Sequence, residues 1–284
     1  MTATLAAMER RIGIHLTSFT FPGVEPARRV EHALAIVRAA DRSGFDSLWL
    51  NDHLVETMGP ERGLPRPETY VFLTAAASVS SRLTLGALAS SIYFRSPALL
   101  ARTAFTLDAV AGRRTVLGVG AGHPMTEAEH RAFGLDFPSI KERMDRLEAV
   151  IPQLREMTGG AIPILVAGSG EHRLLRIVAR HGDMCNLSSP AGDSIDVVRH
   201  KLDVLRAHCA AVGRDFAEIR KTYKGMLLLA QDPAAQPAKG IFTTANARKG
   251  AAEFFEAGID ELIVQVANLA GPNDVEAAAA TLLR

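Results

Sequence analysis

The chain has 284 residues, 48% hydrophobic and 22% charged, enough to bury a sizeable core in one large domain. Lysine plus arginine number 32 against 31 acids, a net charge of +1 that gives nucleic acid or an anionic membrane surface no electrostatic hold. The two cysteines, Cys185 and Cys209, fit neither a disulfide framework nor a zinc knuckle; with no signal-like segment in "MTATLAAMERR" and no long apolar run, a cytoplasmic protein without membrane spans is expected.

In chain order, "IGIHLT" (12–17) reads as the first strand. Residues 25–43 read as a helix, with Pro26 in its first turn, Val30, Leu34 and Val37 on one face, and Gly44 as its stop. "SLWLND" (47–52) is the second strand, 68–80 a helix, "LTLGALASS" (83–91) the third strand, and 97–111 a helix closed by Gly112. "RTVLGVGAG" (114–122) is the fourth strand. Ser139 and Glu142 then form a capping box, followed by Ile140, Met144, Leu147, Ile151 and Leu154 at helical spacing. Pro152 is expected to kink that helix or end it early. "IPILVAGSG" (162–170), "MCNLSS" (184–189), "TYKGMLLLA" (222–230) and "ELIVQV" (261–266) are the remaining strands. Helices 171–181, 195–212, 244–257 and 273–283 follow them in turn, the second of these with Val198, Leu202, Leu205, Cys209 and Val212 on one stripe. "QDPAAQPAKG" (231–240) reads as a loop on the active face.

Eight strand–helix units in strict alternation, with strands that are continuous apolar runs, predict a (β/α)8 TIM barrel as a single domain over 1–284. A doubly wound open sheet is the alternative. The glycines Gly118, Gly120 and Gly122 would suit a dinucleotide turn, but they come on the fourth strand, with no acid closing the next one and with Pro124 interrupting. They are expected instead to let a flat ligand approach backbone at the barrel mouth.

Barrel active sites form at the C-terminal strand ends. There, "GSGEHR" (168–173) turns onto a helix, where free amides and the helix dipole favour an anion, with His172 and Arg173 as added donors; a ligand-free βα turn is the plain alternative. Asn51-Asp52-His53 puts an imidazole at a strand end, either as a proton carrier or as a structural His held by Asp52. Glu127-x-x-His130 resembles half of a two-metal site, but no second copy exists, so no metal is expected. No G-x-S-x-G elbow is present. Phe19, Phe21, Tyr93 and Phe94 either line an apolar pocket or pack in the core.

"GFDSLWLNDHL", "LTLGALASSIYFRSPALLARTAFTLDAVAGRRTVLGVGAG", "EHRAFGLDFPSIKERMDRLEAV" and "IPILVAGSGEHRLLRIVARHGDMCNL" together resemble the luciferase-like monooxygenase superfamily. The likeness is greatest to its branch that uses the deazaflavin coenzyme F-420 (F420). The resemblance implies a barrel with the deazaflavin across its mouth and a hydride passed between it and a small organic substrate. It implies Asp52 and His53 beside the ring, with His53 catalytic. It also implies a bulge, often a non-prolyl cis peptide, near Leu88-Ala89, with Ala89, Ser90 and Ser91 backing the ring. Ala121, Gly122 and Thr126 match positions along the cofactor, and Gly168, Ser169, Gly170, His172 and Arg173 match its phosphate turn. Family members commonly dimerise, so a homodimer is a further implication.

Two departures qualify this. The sugar-phosphate dehydrogenases of the branch carry a Trp soon after the Asp-His and a Glu after the strand-four Gly; here Glu56 and His123 stand there. A substrate other than a sugar phosphate is therefore expected, with His123 a second candidate for proton transfer. Only "TGGA" separates the fourth-strand helix from Ile162, where family members carry a longer segment, which implies a more open pocket or an altered lid. The rival functions are a monooxygenase using flavin mononucleotide (FMN), a flavin- or deazaflavin-binding barrel without turnover, and a metal-dependent hydrolase.

Overall fold

The computed structural model describes residues 10–57, 59, 61–189, 192–229, 241–267 and 269–284. The strands are β1 (Arg11–Leu16), β2 (Ser47–Leu50), β3 (Thr84–Ala87), β4 (Ser90–Ser91), β5 (Thr115–Gly120), β6 (Ile164–Ala167), β7 (Met184–Asn186), β8 (Arg220–Leu228), β9 (Ile241–Thr243) and β10 (Glu261–Val266). All pair in parallel, in the order β10-β1-β2-β3-β5-β6-β7-β8, and β8 pairs back onto β10. The sheet is therefore a closed eight-stranded barrel.

β4 is the upper half of the third barrel strand. Gly86 pairs with Val116 but Ser90 pairs with Val119, so four residues on one strand face three on its neighbour. That is a one-residue bulge, and the Leu88–Ala89 peptide within it is cis. β9 is a short rim strand beside the top of β8 that the sequence pattern did not predict. The segment 231–240, read as an active-face loop, lies outside the described residues apart from its neighbours.

The helices are α1 (Arg29–Ser43), α2 (Thr69–Val79), α3 (Pro97–Val110), α4 (Glu127–Ala132), α5 (Ile140–Met157), α6 (Leu174–His181), α7 (Ile195–Ala211), α8 (Ala247–Ala257) and α9 (Pro272–Leu282). Alternation along each strand divides the core in two. Ile12, Ile14 and Leu16 face the helices with Leu48 and Leu50, whereas Trp49, Val116, Leu165, Met184 and Ile263 fill the barrel interior. The floor of the interior is polar and closed on itself: Ser47 donates to Glu261 at 2.5 Å, and Trp49 Nε1 donates to Ser47 Oγ at 2.7 Å.

Most expected stops hold. Gly44 caps α1 with φ 96°, and Ser139 and Glu142 make the reciprocal capping box of α5. Pro152 does not end α5, which runs five residues beyond it. It sits on the solvent side, and only the bond to the Glu148 carbonyl is forfeited while Ile151 and Leu154 keep both halves on the barrel. Val30 and Val212 are exposed rather than on the buried stripes; Ala33, Ile36, Val37 and Ala40 form that of α1. α6 begins at Leu174, not 171, because residues 171–173 form a turn of their own.

Candidate active site

A cleft of about 660 Å³ opens at the C-terminal rim, walled by the β3–β4 bulge, the ends of β5, β6 and β7, and Lys224 of β8. A smaller compartment of about 180 Å³ holds Asn51, Asp52, His53, Ser91 and Thr126. Leu88, Ala89, Gly122 and His123 line both, so the two adjoin across the mouth.

His53 sits in the smaller compartment, its side chain 18% exposed. Its Nδ1 lies 2.7 Å from Glu129 Oε2, and the other Glu129 oxygen accepts from the Leu54 and Val55 amides. Burial alone would raise the Glu129 carboxyl; the His53 and amide hydrogen bonds outweigh it and hold the group below its usual value. With Nδ1 committed, Nε2 is the ring nitrogen left for a ligand. Glu129, on α4, escaped the sequence reading because nothing in its spacing links it to a residue 76 positions away.

Asp52 is 3% exposed, and both its oxygens accept from Arg95, at 2.6 and 3.2 Å. Arg95 also bonds Glu68 and lies over the Tyr70 ring. Asp52 thus anchors the strand end through Arg95 and does not bond His53. Ser90 lines neither cavity: it is fully buried, its Oγ 2.8 Å from the Tyr70 hydroxyl, because alternation turns it towards the helices. Ser91 does face the smaller compartment, with Oγ 2.9 Å from His130 Nε2.

The three glycines of the fourth barrel strand serve different ends. A Cβ on Gly118 would stand 1.9 Å from the Ala87 carbonyl oxygen, so this glycine accommodates the bulge rather than a ligand. Gly120 lines the cleft with no atom nearer than 3.6 Å to its would-be Cβ, and Gly122 takes φ 78°. Arg143 fastens that turn, donating to the Ala121 and Gly122 carbonyls at 3.1 and 2.6 Å and lying over Phe137. His123 is exposed on the rim, where Nδ1 accepts from the Met125 amide at 3.2 Å. Thr126 closes the same turn, donating to the His123 carbonyl.

At the other end of the cleft, Gly168 (φ 137°), Ser169, Gly170, His172 and Arg173 line one wall. Among the described residues, the amides from Ser169 to Arg173 donate to no backbone carbonyl. They form an uncommitted set of donors beside the start of α6. Arg173 contributes less than its position promised. Its guanidinium bonds Asp145 and the Lys141 carbonyl on α5, with Glu148 3.7 Å away.

The residues weighed as half a metal site part company. Glu127 pairs with Arg131 on the surface, whereas His130 is buried with both nitrogens engaged by Ser91 and the Thr126 carbonyl. Glu56 is also withdrawn, accepting from Ser18 and the Phe19 amide. Of the aromatics, Phe94 lines the smaller compartment, while Phe19 packs on Phe72 in the core.

A family model described as luciferase-like monooxygenase matches residues 10–160, more than half of the chain. The chain belongs to the luciferase-like monooxygenase family. Its similarity within that family runs to an F420-dependent glucose-6-phosphate dehydrogenase of Kineococcus radiotolerans, 28% identical over 69% of this chain and 63% of that protein. It also runs to a 5,10-methylenetetrahydromethanopterin reductase of Archaeoglobus fulgidus, 26% identical over 59% of this chain and 52% of that one. The aligned part is thus less than two thirds of either relative. Among solved structures, the coenzyme F420-dependent tetrahydromethanopterin reductase of Methanopyrus kandleri superposes with a TM-score of 0.71 over 97% of this chain and 99% of that one, at 15% identity. At that identity the likeness attests the barrel of this luciferase-like protein and nothing of its chemistry.

Proposed function

We propose that the protein is an oxidoreductase that moves a hydride between coenzyme F-420 and a small organic substrate. The observation that carries this reading is a pair of adjoining cavities of different chemistry: the His53–Glu129 pair in the smaller, the uncommitted amides of 169–173 on the wall of the larger. A planar redox group with an anionic tail fits that division, and the glycine-lined wall at Gly120 and Gly122 leaves room for a flat face. F420 dependence in the name of the Kineococcus radiotolerans relative supports the same choice.

Bound there, the deazaflavin would supply hydride chemistry. The protein's own part is to hold the tail on the turn amides, to shield the rim from water, and to hold or release one proton at His53 Nε2. His123 on the rim is the second proton carrier. We assign Asp52, Ser91, Ala121, Gly122 and Thr126 to the shaping of the ring end, and Gly168, Ser169, Gly170 and His172 to the tail. With Glu56 withdrawn and His123 on the rim, the substrate is not expected to be a sugar phosphate. Two unpaired, buried thiols accord with a cytoplasmic setting, and exposed Val71, Leu99 and Phe105 on α2 and α3 with a homodimer.

Titration with F420 and with FMN, followed by fluorescence quenching, tests the cofactor. F420 is expected to bind in the micromolar range or tighter, and FMN more weakly. Tighter FMN binding would favour the monooxygenase reading, and failure of both would end the assignment. A binding barrel without turnover predicts that His53→Ala changes no rate.

A further inference from the structure

A buried imidazole stands between α4 and the wall of the smaller compartment, with no part in the chemistry assigned above. His130 is fully enclosed, stacked on Phe94 at 4.5 Å and edge-on to Phe137 at 5.0 Å. Its Nδ1 lies 2.7 Å from the Thr126 carbonyl oxygen and its Nε2 lies 2.9 Å from Ser91 Oγ. Ser91, Phe94 and Thr126 all line the compartment that holds His53, so His130 backs one of its walls.

Counting donors and acceptors places the hydrogens. A carbonyl only accepts, so His130 Nδ1 carries a hydrogen. Among the described residues no carboxylate bonds His130, and an enclosed imidazolium without a counter-charge is costly, so the ring is neutral and Nε2 is bare. A bare ring nitrogen accepts, so the Ser91 hydroxyl donates its only hydrogen to it. The Tyr93 amide donates to the same oxygen at 3.3 Å. What Ser91 has left to offer is a lone pair. Gly122 keeps the space beside that oxygen open, since a Cβ there would stand 3.5 Å from Ser91 Oγ.

We propose that His130 is a positioning residue that makes Ser91 an acceptor and not a donor, so that the ligand group set against this wall must bring an N–H or O–H. A carbonyl or carboxylate placed there would meet lone pair with lone pair. The donor comes from one of two sources: a ring N–H of the cofactor, or a hydroxyl or amino group of the substrate. Its purpose rests on the reading of the compartment as the reacting end of a hydride-transfer site; the placement of the hydrogens does not.

Two measurements test the acceptor. NMR of protein carrying 15N-labelled histidine reads the ring nitrogens directly, and His130 is expected to show a protonated Nδ1 and a bare Nε2. A hydrogen on Nε2 would overturn the proposal, because Ser91 could then turn its own hydroxyl to the ligand. Calorimetric titration with cyclohexanol and cyclohexanone, alike in shape and opposite in hydrogen-bond polarity, reads the selectivity. In cofactor-free protein the alcohol is expected to bind about fivefold more tightly, the factor one neutral hydrogen bond supplies. Ser91→Ala should erase most of that preference. His130→Phe keeps a ring on Phe94 and releases the Ser91 hydrogen, so it should narrow the preference by improving the ketone. Both variants are checked for folding by circular dichroism. Equal affinities in the parent, or an undiminished preference in folded Ser91→Ala, would overturn the proposal. Saturation with F420 separates the sources: a preference that vanishes assigns the acceptor to the ring, and one that persists assigns it to the substrate. Protein that shows the preference and fails to bind F420 would sink the cofactor assignment and leave the Ser91 acceptor standing.

Discussion

Glu129 holds His53 by its Nδ1 at 2.7 Å, from a helix that begins after a different barrel strand. The same carboxylate receives the Leu54 and Val55 amides, so it fixes both the imidazole and the loop that carries it. Glu129→Gln keeps the shape and removes the charge that selects the tautomer. Hydride transfer is expected to slow by about ten- to a hundredfold in kcat, with cofactor affinity almost unchanged. Steady-state kinetics beside an F420 titration would check this; an unchanged kcat would remove Glu129 from the machinery.

The same residue sets an acid limit. Its folded-state pKa lies below the ordinary 4.5, so its contribution to stability is complete above that value and is lost as pH falls through the lowered one. Thermal melts of parent and Glu129→Gln, compared between about pH 3 and 7, should differ most at the upper end and converge on the acid side. A gap that widens on acidification would contradict the assignment.

At the tail end, backbone rather than side chain is expected to dominate. Gly168 has φ 137°, and a Cβ there would stand 3.1 Å from both Leu174 methyls. Gly168→Ala should distort the turn and weaken F420 binding by about tenfold or more. Arg173 is occupied by Asp145, so Arg173→Ala should weaken binding by only about two- to fivefold. Fluorescence titration of both variants measures the order; a reversed order would shift the anion site from the amides to the guanidinium.

The barrel was legible because apolar runs, glycine stops and a capping box are local signals. Ser139 and Glu142, or Gly44, need no distant partner to be understood. The partnerships that decide each side chain's role were not legible. Asp52 meets Arg95 and His53 meets Glu129, pairs 43 and 76 residues apart, and no local pattern encodes them. Ser90 was misplaced for a related reason: the bulge shifts the alternation by one residue and turns that hydroxyl outward.

Two half-buried cations give opposite expectations for stability, and the contrast tests the electrostatics of the mouth without any ligand. Arg95 is enclosed with Asp52, their side chains 9% and 1% exposed. Burial would lower its pKa, but the bonds to Asp52 and Glu68 outweigh that and raise it. Arg95→Met strands a buried carboxylate, with an expected loss of about 3 kcal/mol. Lys224→Met instead removes a charge that nothing answers, with an expected gain of about 1 kcal/mol. In a chain of this size each kcal/mol moves the Tm by about 2–4 °C, so the two variants should melt on opposite sides of the parent in calorimetry at neutral pH. If Lys224→Met melted lower, Lys224 would have a protein partner after all, and its charge would serve the fold.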